Sequence, residues 1–239
     1  MERMDDPVPR VVGHACASST NFLENCDEAH LKPHIDQLYK KITGIIDKAS
    51  SFVKENALSA LSALSVGAPE LFTPYYEVTM QVLLKILVQI NDPIYKRLRG
   101  NSIECISIIS QQVGIERFMP FADQLISSMI NIQDHHLEKD EDPQRNFILQ
   151  AWPRITEVMK GHFDGYMDKV VPSIIKVCIN VIESIPKEEA TNDSNTNDEE
   201  EAKKKEEYHT FYDDECNNAL TAISCFMEDC PAAMAPFIE

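Results

Sequence analysis

The sequence predicts an all-α protein, a right-handed solenoid of antiparallel helix pairs of the HEAT type. Gly67, Gly114 and Gly161 follow one another at intervals of 47 residues, and each closes an apolar segment. A period of this length is typical of HEAT repeats. Within the segments the apolar residues recur with the 3.6-residue spacing of helices, and no stretch has the alternation of a strand. The expected architecture is therefore a stack of helix pairs.

The start of the second helix of each pair is marked by a residue that follows each first-helix end by four to seven positions. These residues are Pro33, Pro74, Pro120, Gly165 and Pro236. Proline suits the first turn of a helix because its missing N–H has no intrahelical partner there. Second helices are therefore predicted at about 33–47, 74–90, 119–134 and 166–185.

Three of the first helices open with Asp-Pro, at Asp6-Pro7, Asp92-Pro93 and Asp142-Pro143. An aspartate before a first-turn proline is a helix-start signal, since its carboxylate accepts from free backbone N–H groups. The predicted first helices are at about 5–25, 51–66, 94–113, 142–161 and 211–229.

One solenoid segment, 1–239, is thus predicted to contain about four and a half repeats, at about 5–47, 51–90, 94–134, 142–185 and 211–239. A polar run at 187–207 has almost no apolar residue to offset its ordering entropy, so it is predicted to be a disordered insert. The chain stops as a fifth second helix begins, which favours a piece of a longer solenoid. Apolar surface is then expected around Leu220, Ile223 and Phe226.

Charge and composition restrict the class of function. The formal net charge of −17 disfavours direct binding to nucleic acid and favours a basic partner. No apolar run has membrane-spanning length, and the start lacks the apolar core of a signal peptide, so the cytosol or the nucleus is expected. Seven cysteines without a Cys-x-x-Cys pair fit a reducing compartment.

No motif indicates an enzyme, a cofactor or a metal. The chain has seven glycines and lacks phosphate-binding loops and nucleophile elbows. His30 and His34 have a helical spacing but are separated by Pro33, which marks a helix start. His135 and His136 fall in a polar segment between helices, where a solvated loop is favoured over a metal site.

Acidic residues recur at one position of the second helices. Three residues after each second-helix marker the chain has Asp36, Glu77, Asp123, Asp168 and Glu239. One explanation is that a carboxylate in the first turn complements the helix dipole. The other is that stacking aligns the acids into a ladder that binds an extended lysine-rich peptide.

Two further acids, Asp47 and Asp134, lie near the predicted ends of second helices. The dipole disfavours an acid there, so helix capping does not explain them. Asp36, Glu77, Asp123, Asp168, Asp47 and Asp134 are the candidate residues for binding a basic cargo.

Several stretches resemble the central HEAT repeats of the karyopherin-β nuclear transport receptors, most closely the importin beta-3 branch. They are LRGNSIECISII at 98–109, VGIERFM at 113–119, FTPYY at 72–76, DED at 140–142, AW at 151–152 and RI at 154–155. The resemblance covers nearly all of 6–239. It implies a receptor that shuttles between cytoplasm and nucleus and binds basic nuclear localisation signals, under control of the Ran GTPase and in contact with nucleoporins.

The resemblance also implies that second helices line the concave surface and that their acids, here Asp36 and Glu77 above all, hold lysine-rich signals. Pro153 departs from the family pattern and predicts a kink in the fourth first helix. Trp152 is expected to pack between repeats. An alternative function is a cytosolic HEAT scaffold that organises an assembly such as a phosphatase, because this architecture hosts both functions.

Overall fold

The computed structural model describes residues 1–89, 92–136, 142–184 and 199–238, and these residues contain helices and turns but no strand. These described stretches contain nine long helices. They are α1 Pro9–Leu23, α2 Ile35–Lys48, α3 Ser51–Gly67, α4 Tyr76–Gln89, α5 Lys96–Val113, α6 Ile115–His136, α7 Gln144–Met159, α8 Met167–Ser184 and α9 Glu199–Asp229. Short helical turns, among them Glu28–Leu31, Pro69–Phe72 and Lys160–Tyr166, join several of them.

The helices form two rows. The first helices α1, α3, α5, α7 and α9 pack side by side in chain order, and each second helix packs against the first helix of the next pair. Between the rows lies one continuous apolar core, which includes Leu61 and Leu64 of α3 and Ile103, Ile106 and Ile109 of α5. The predicted helical solenoid is confirmed.

The three glycines at 47-residue spacing occupy equivalent places for different physical reasons. Gly114 has a φ of +77°, a conformation that side chains disfavour. A Cβ on Gly67 would lie 2.4 Å from the carbonyl oxygen of Leu23, so a close backbone approach excludes larger residues. After α7 the positive φ of 47° falls on Lys160, and Gly161 has open space around it.

The third pair departs from the predicted turn. A second helix was expected to start near Pro120, but α6 begins at Ile115 and runs through that proline. Gly114 alone reverses the chain direction, because its positive φ ends α5 and lets the next helix start at once. Helix α7 likewise continues through Pro153, and the predicted kink there stays a prediction.

The fifth first helix is longer than predicted. Helix α9 begins at Glu199 rather than near 211, so the disorder predicted for 187–207 does not hold for 199–207, whereas 187–198 lies outside the described residues. The sequence supplies a reason. Residues 199–207 read EEEAKKKEE, in which strong helix formers place each of three glutamates four residues before a lysine.

The apolar surface expected on α9 is present only in part. Leu220 is 51% exposed and Ile223 is half-buried, but Phe226 is fully buried. Its ring stacks on Phe163 with 5.7 Å between the centroids. The preceding helix pair therefore covers this end of α9.

Of the three Asp-Pro motifs, the one at Asp92 forms the expected cap, on the turn Pro93–Tyr95, whereas the N-cap residues of α1 and α7 are Val8 and Pro143. The Oδ1 atoms of Asp6, Asp92 and Asp142 accept from the backbone N–H two residues later, at 3.0, 3.0 and 2.9 Å. Asp92 is exposed and Asp6 is half-buried, whereas Asp142 is buried. The same local signal therefore occurs in very different environments.

Helix α5 lies so close to α7 that we expect Gly100→Ala to lower the free energy of unfolding by about 1–3 kcal/mol. A Cβ at Gly100 would lie 2.3 Å from the ring of Phe147, so the ring or the helix would have to shift. Chemical denaturation followed by circular dichroism measures the change. Gly44→Ala in α2 is the control: it meets nothing within 4 Å and should stabilise the helix by about 0.5–1 kcal/mol. Equal effects of the two changes would contradict the close α5–α7 packing.

Candidate binding surface on the second helices

The four described acids of the predicted ladder are all exposed and lie on the second helices. Asp36, Glu77 and Asp168 are each the second residue of their helix, in α2, α4 and α8. Asp123 is the ninth residue of α6, more than two turns from the helix start. Dipole complementation explains the first three but not Asp123, although Asp123 keeps the same register. The register is therefore not explained by capping alone.

Two of these acids accept a hydrogen bond from the next repeat. The hydroxyl of Tyr75 donates to Oδ1 of Asp36, and the hydroxyl of Tyr166 donates to Oδ1 of Asp123. The hydrogen bond to Asp36 raises the pKa of Tyr75 to about 12. Partial burial, followed by the bond to Asp123, raises the pKa of Tyr166 to about 12. Both phenols are thus neutral donors at physiological pH.

The other two acids have no such partner. In the described part of the chain, Glu77 and Asp168 make neither a hydrogen bond nor an ion pair through their carboxylates. The place of the tyrosine in the following repeat is taken by Phe121 and by Phe237, which carry no hydroxyl. Phe121 packs edge-on against Tyr76 at 5.7 Å between centroids.

Sequence reasoning missed these aromatic residues, although a signal was present. Each acid from the second repeat onward follows an aromatic residue by two positions, in YYE at 75–77, FAD at 121–123, YMD at 166–168 and FIE at 237–239. Glu239 itself lies outside the described residues. Tyr75, Phe121 and Tyr166 contact the preceding repeat, while Glu77, Asp123 and Asp168 are exposed.

Lysines line the same cleft as Asp36, together with a second acid, Asp5. Asp36 lines an open cleft of about 650 Å³ together with Lys40, Lys41 and Lys48. Lys41 donates to the carboxylate of Asp5, and Lys40 is exposed one helical turn after Asp36. A cationic ligand would therefore meet a less negative surface at Asp36 than at an acid without neighbouring lysines.

The structure does not join Asp47 and Asp134 to this row. Both are exposed near the ends of α2 and α6, eleven residues after Asp36 and Asp123, which is about 16 Å along a helix. The equivalent positions of α4 and α8 carry Val88 and Ile179, exposed by 49% and 47%. Acidic and aliphatic residues alternate there, so no continuous second row of acids exists.

The described residues contain no candidate metal site and no helix suited to span a membrane. They contain no group of three or more His, Cys, Asp or Glu side chains that could hold a metal ion, and the side chains of His135 and His136 lie outside the description. No described helix combines the length and apolarity that a membrane span requires. Burial raises the thiol pKa of Cys16 to about 11 and of Cys105 to about 12, which keeps these cysteines protonated and unreactive.

Comparisons with known proteins agree with the fold. The family model described as importin subunit beta-1-like, TPR repeats, matches residues 13–194. Importin subunit beta-3 of Saccharomyces cerevisiae is 29% identical over 185 residues, which is 77% of this chain and 17% of that protein. A probable importin-5 homolog of Dictyostelium discoideum is 30% identical over 184 residues, which is 76% of this chain and 17% of that protein.

Solved structures of Kap121p share the architecture. Kap121p bound to Pho4p superposes with a TM-score of 0.77 at 23% identity, over 99% of this chain and 23% of that one. Kap121p bound to Nup53p gives a TM-score of 0.77 at 24% identity, over 99% of this chain and 23% of that one. A Kap121p variant with two aspartates and one glutamate changed to lysine gives 0.75 at 25% identity, over 97% and 22%. The chain therefore spans about a fifth of the length of these proteins, and it belongs to the importin-β family of karyopherins, in which it resembles the importin beta-3 branch.

Proposed function

We propose that this chain is the cargo-binding part of a nuclear transport receptor and that its second helices bind lysine-rich nuclear localisation signals. The observation that carries the proposal is the exposed row of Asp36, Glu77, Asp123 and Asp168, one acid per repeat. Asp123 keeps the same position in its repeat, although it lies inside α6, where no helix start favours an acid. An extended basic peptide running across the repeats would meet these carboxylates in succession.

The relatives support the proposal. They carry importin names, and Kap121p has been solved with Pho4p and with Nup53p, so one solenoid of this architecture binds different proteins. The strongly acidic composition of this chain, with a net charge of −17, favours basic partners. Shuttling between cytoplasm and nucleus, contact with nucleoporins and release by Ran belong to the proposal for the complete receptor.

The test is charge reversal of Asp36 and Glu77 together. We expect Asp36→Lys/Glu77→Lys to weaken binding of a fluorescent lysine-rich peptide at least about tenfold, equivalent to about 1.4 kcal/mol. Each lysine–carboxylate contact on a wet surface contributes modestly, and repulsion from the new lysines adds to the loss. Fluorescence anisotropy at low and at high salt measures the effect, which should shrink as salt rises.

The matched control is Glu24→Lys/Glu228→Lys, which changes the net charge equally at exposed sites on the first-helix side. It should leave the affinity within about twofold, because screening limits long-range effects to roughly one Debye length. Kap121p itself tolerates three acid-to-lysine changes well enough to crystallise, so both variants of this chain should fold. Unchanged peptide affinity in the ladder variant, with lower thermal stability, would mean that the acids serve only as helix caps.

The response to Ran distinguishes a transport receptor from a static scaffold. For the complete receptor, we expect GTP-loaded Ran to release a bound lysine-rich peptide and GDP-loaded Ran to leave it bound. A peptide complex that resists GTP-loaded Ran, together with no retention of Ran in a pull-down, would favour a scaffold.

A further inference from the structure

We infer that the four ladder acids are of two kinds, and that Glu77 and Asp168 hold the lysines of the ligand while Asp36 and Asp123 mainly join neighbouring repeats. This inference rests on the proposed function and deepens it. We call Glu77 and Asp168 the open acids, and Asp36 and Asp123 the paired acids.

The first argument is the number of acceptor sites that each carboxylate has left. Each paired acid accepts the hydroxyl of a tyrosine from the next repeat, Tyr75 or Tyr166. An O–H donor to a charged carboxylate makes a strong bond that fixes the rotamer and withdraws charge from the oxygens. A lysine of the ligand must then bind a carboxylate whose orientation is already fixed by the tyrosine. The open acids keep both oxygens and their side-chain freedom for the ligand.

The second argument is the position of each tyrosine between repeats. The ring of Tyr75 stacks on Tyr39 of the preceding repeat at 4.2 Å between centroids. The hydroxyl of Tyr39 in turn lies 3.0 Å from that of Thr79 in α4. The bond from Tyr75 to Asp36 is thus part of a packed contact between α2 and the start of the second repeat. The tyrosine that binds Asp36 is therefore itself packed between two repeats, so its hydrogen bond is more than a solvated surface contact.

The third argument is the local charge around the first paired acid. Asp36 shares its cleft with Lys40, with Lys48 and with the ion pair of Lys41 and Asp5, whereas Glu77 is followed on the exposed face of α4 by Val78, Gln81 and Val82. A lysine of the ligand would be repelled by Lys40, which is exposed one helical turn after Asp36. One helical turn after Glu77 the exposed residue is Gln81, which carries no charge.

The two kinds of acid alternate, so the surface has a period of two repeats. Neighbouring helices lie roughly 10 Å apart, which puts the open acids about 20 Å from one another. An extended peptide advances about 3.3 Å per residue, so two basic clusters should bind best when they are about six residues apart. Four equivalent acids would instead accept clusters about three residues apart equally well.

Neutral, nearly isosteric replacements test the division directly. We expect Glu77→Gln and Asp168→Asn each to weaken binding of a lysine-rich peptide about fivefold at low salt. Asp36→Asn and Asp123→Asn should change the affinity less than about twofold and should lower the thermal midpoint instead. The peptide probes are Gly-Ser chains with two Lys-Lys clusters at separations of about three and about six residues, labelled for fluorescence anisotropy.

Removal of the tyrosine hydroxyls is the second test. Tyr75→Phe/Tyr166→Phe should raise the affinity about two- to threefold, because two carboxylates become available to the ligand. A purely structural role of the hydroxyls would not increase binding. Tyr95→Phe is the matched control, since this tyrosine is exposed, its hydroxyl makes no hydrogen bond to another described residue, and it lies before a first helix and not on the ladder.

The outcomes separate this inference from the proposed function. Equal losses for all four neutral variants, or an equal preference for both cluster separations, would overturn the division but leave the ladder as the binding site. If no neutral variant lowers the affinity, the proposed function fails as well. A loss of affinity in Tyr75→Phe/Tyr166→Phe would show that the tyrosines orient the paired acids for the ligand, which also overturns the inference.

Discussion

Replacement of Asp142 by alanine is expected to lower the free energy of unfolding by about 3–5 kcal/mol. This aspartate is 2% exposed and lies at the start of α7. Its carboxylate accepts from Nζ of Lys96 at 2.6 Å and from both the backbone N–H and the side-chain amide of Gln144, at 2.9 and 3.1 Å. Arg99, 6% exposed, donates from Nε to Gln144 at 2.8 Å.

The loss is large because the buried Arg99 and the partly buried Lys96 remain charged after the anion is removed. Burial lowers the pKa of Arg99, and the charges of Asp142 and Asp92 oppose that shift. A guanidinium stays charged at any accessible pH, so Asp142→Ala leaves positive charge near the α5–α7 contact with less compensation. Removing one partner of a buried pair costs far more than the intact pair contributes.

Asp92→Ala is the matched control, because the same Asp-Pro motif occurs there at the surface. Its Oδ1 accepts from the N–H of Ile94 at 3.0 Å, and its loss should cost about 1 kcal/mol, as for an ordinary helix cap. Chemical denaturation of both variants gives the comparison. Similar losses of about 1 kcal/mol would show that Asp142 is only a cap, and the buried ion pair would then lack the importance assigned to it.

The fold could be predicted because its signals are local and repeated. The glycine interval, the Asp-Pro starts and the helical spacing of apolar residues each act over a few positions. The predictions failed where one sequence signal was compatible with two different structures. Pro120 fits a first turn but sits inside α6, since Gly114 had already reversed the chain, and the charged run before residue 208 has the composition of an insert but also the spacing of a helix.

The exposure of the candidate acids was predictable, whereas the structural differences among them were not. Asp36, Glu77, Asp123 and Asp168 are found exposed on second helices as expected. Whether a tyrosine of the next repeat reaches an acid depends on how repeats stack, which no sequence spacing within one helix specifies. The recurring aromatic two residues before an acid is the available signal, and its meaning became clear only from the contacts of Tyr75 and Tyr166.

Trp152→Ala is expected to lower the free energy of unfolding by about 3–5 kcal/mol. The side chain is fully buried, contacts Phe163 edge-on at 5.8 Å between centroids, and donates from Nε1 to Oε1 of Gln133 on α6 at 2.9 Å. Its removal creates a large cavity and leaves an acceptor of Gln133, itself 5% exposed, without its partner. Trp152→Phe keeps most of the volume and isolates the lost hydrogen bond, at about 1–3 kcal/mol.

The loss should be local, because each repeat of a solenoid contacts only its neighbours. Amide hydrogen exchange should therefore accelerate in α6, α7 and the part of α9 around Phe226, while α1 and α2 remain protected. Trp152 has no surface to offer a ligand, so the folded variant should bind a lysine-rich peptide with unchanged affinity. Weaker peptide binding at a temperature where exchange shows α2 and α4 intact would mean that the tryptophan transmits repeat packing to the acidic row, and its role would then extend beyond packing.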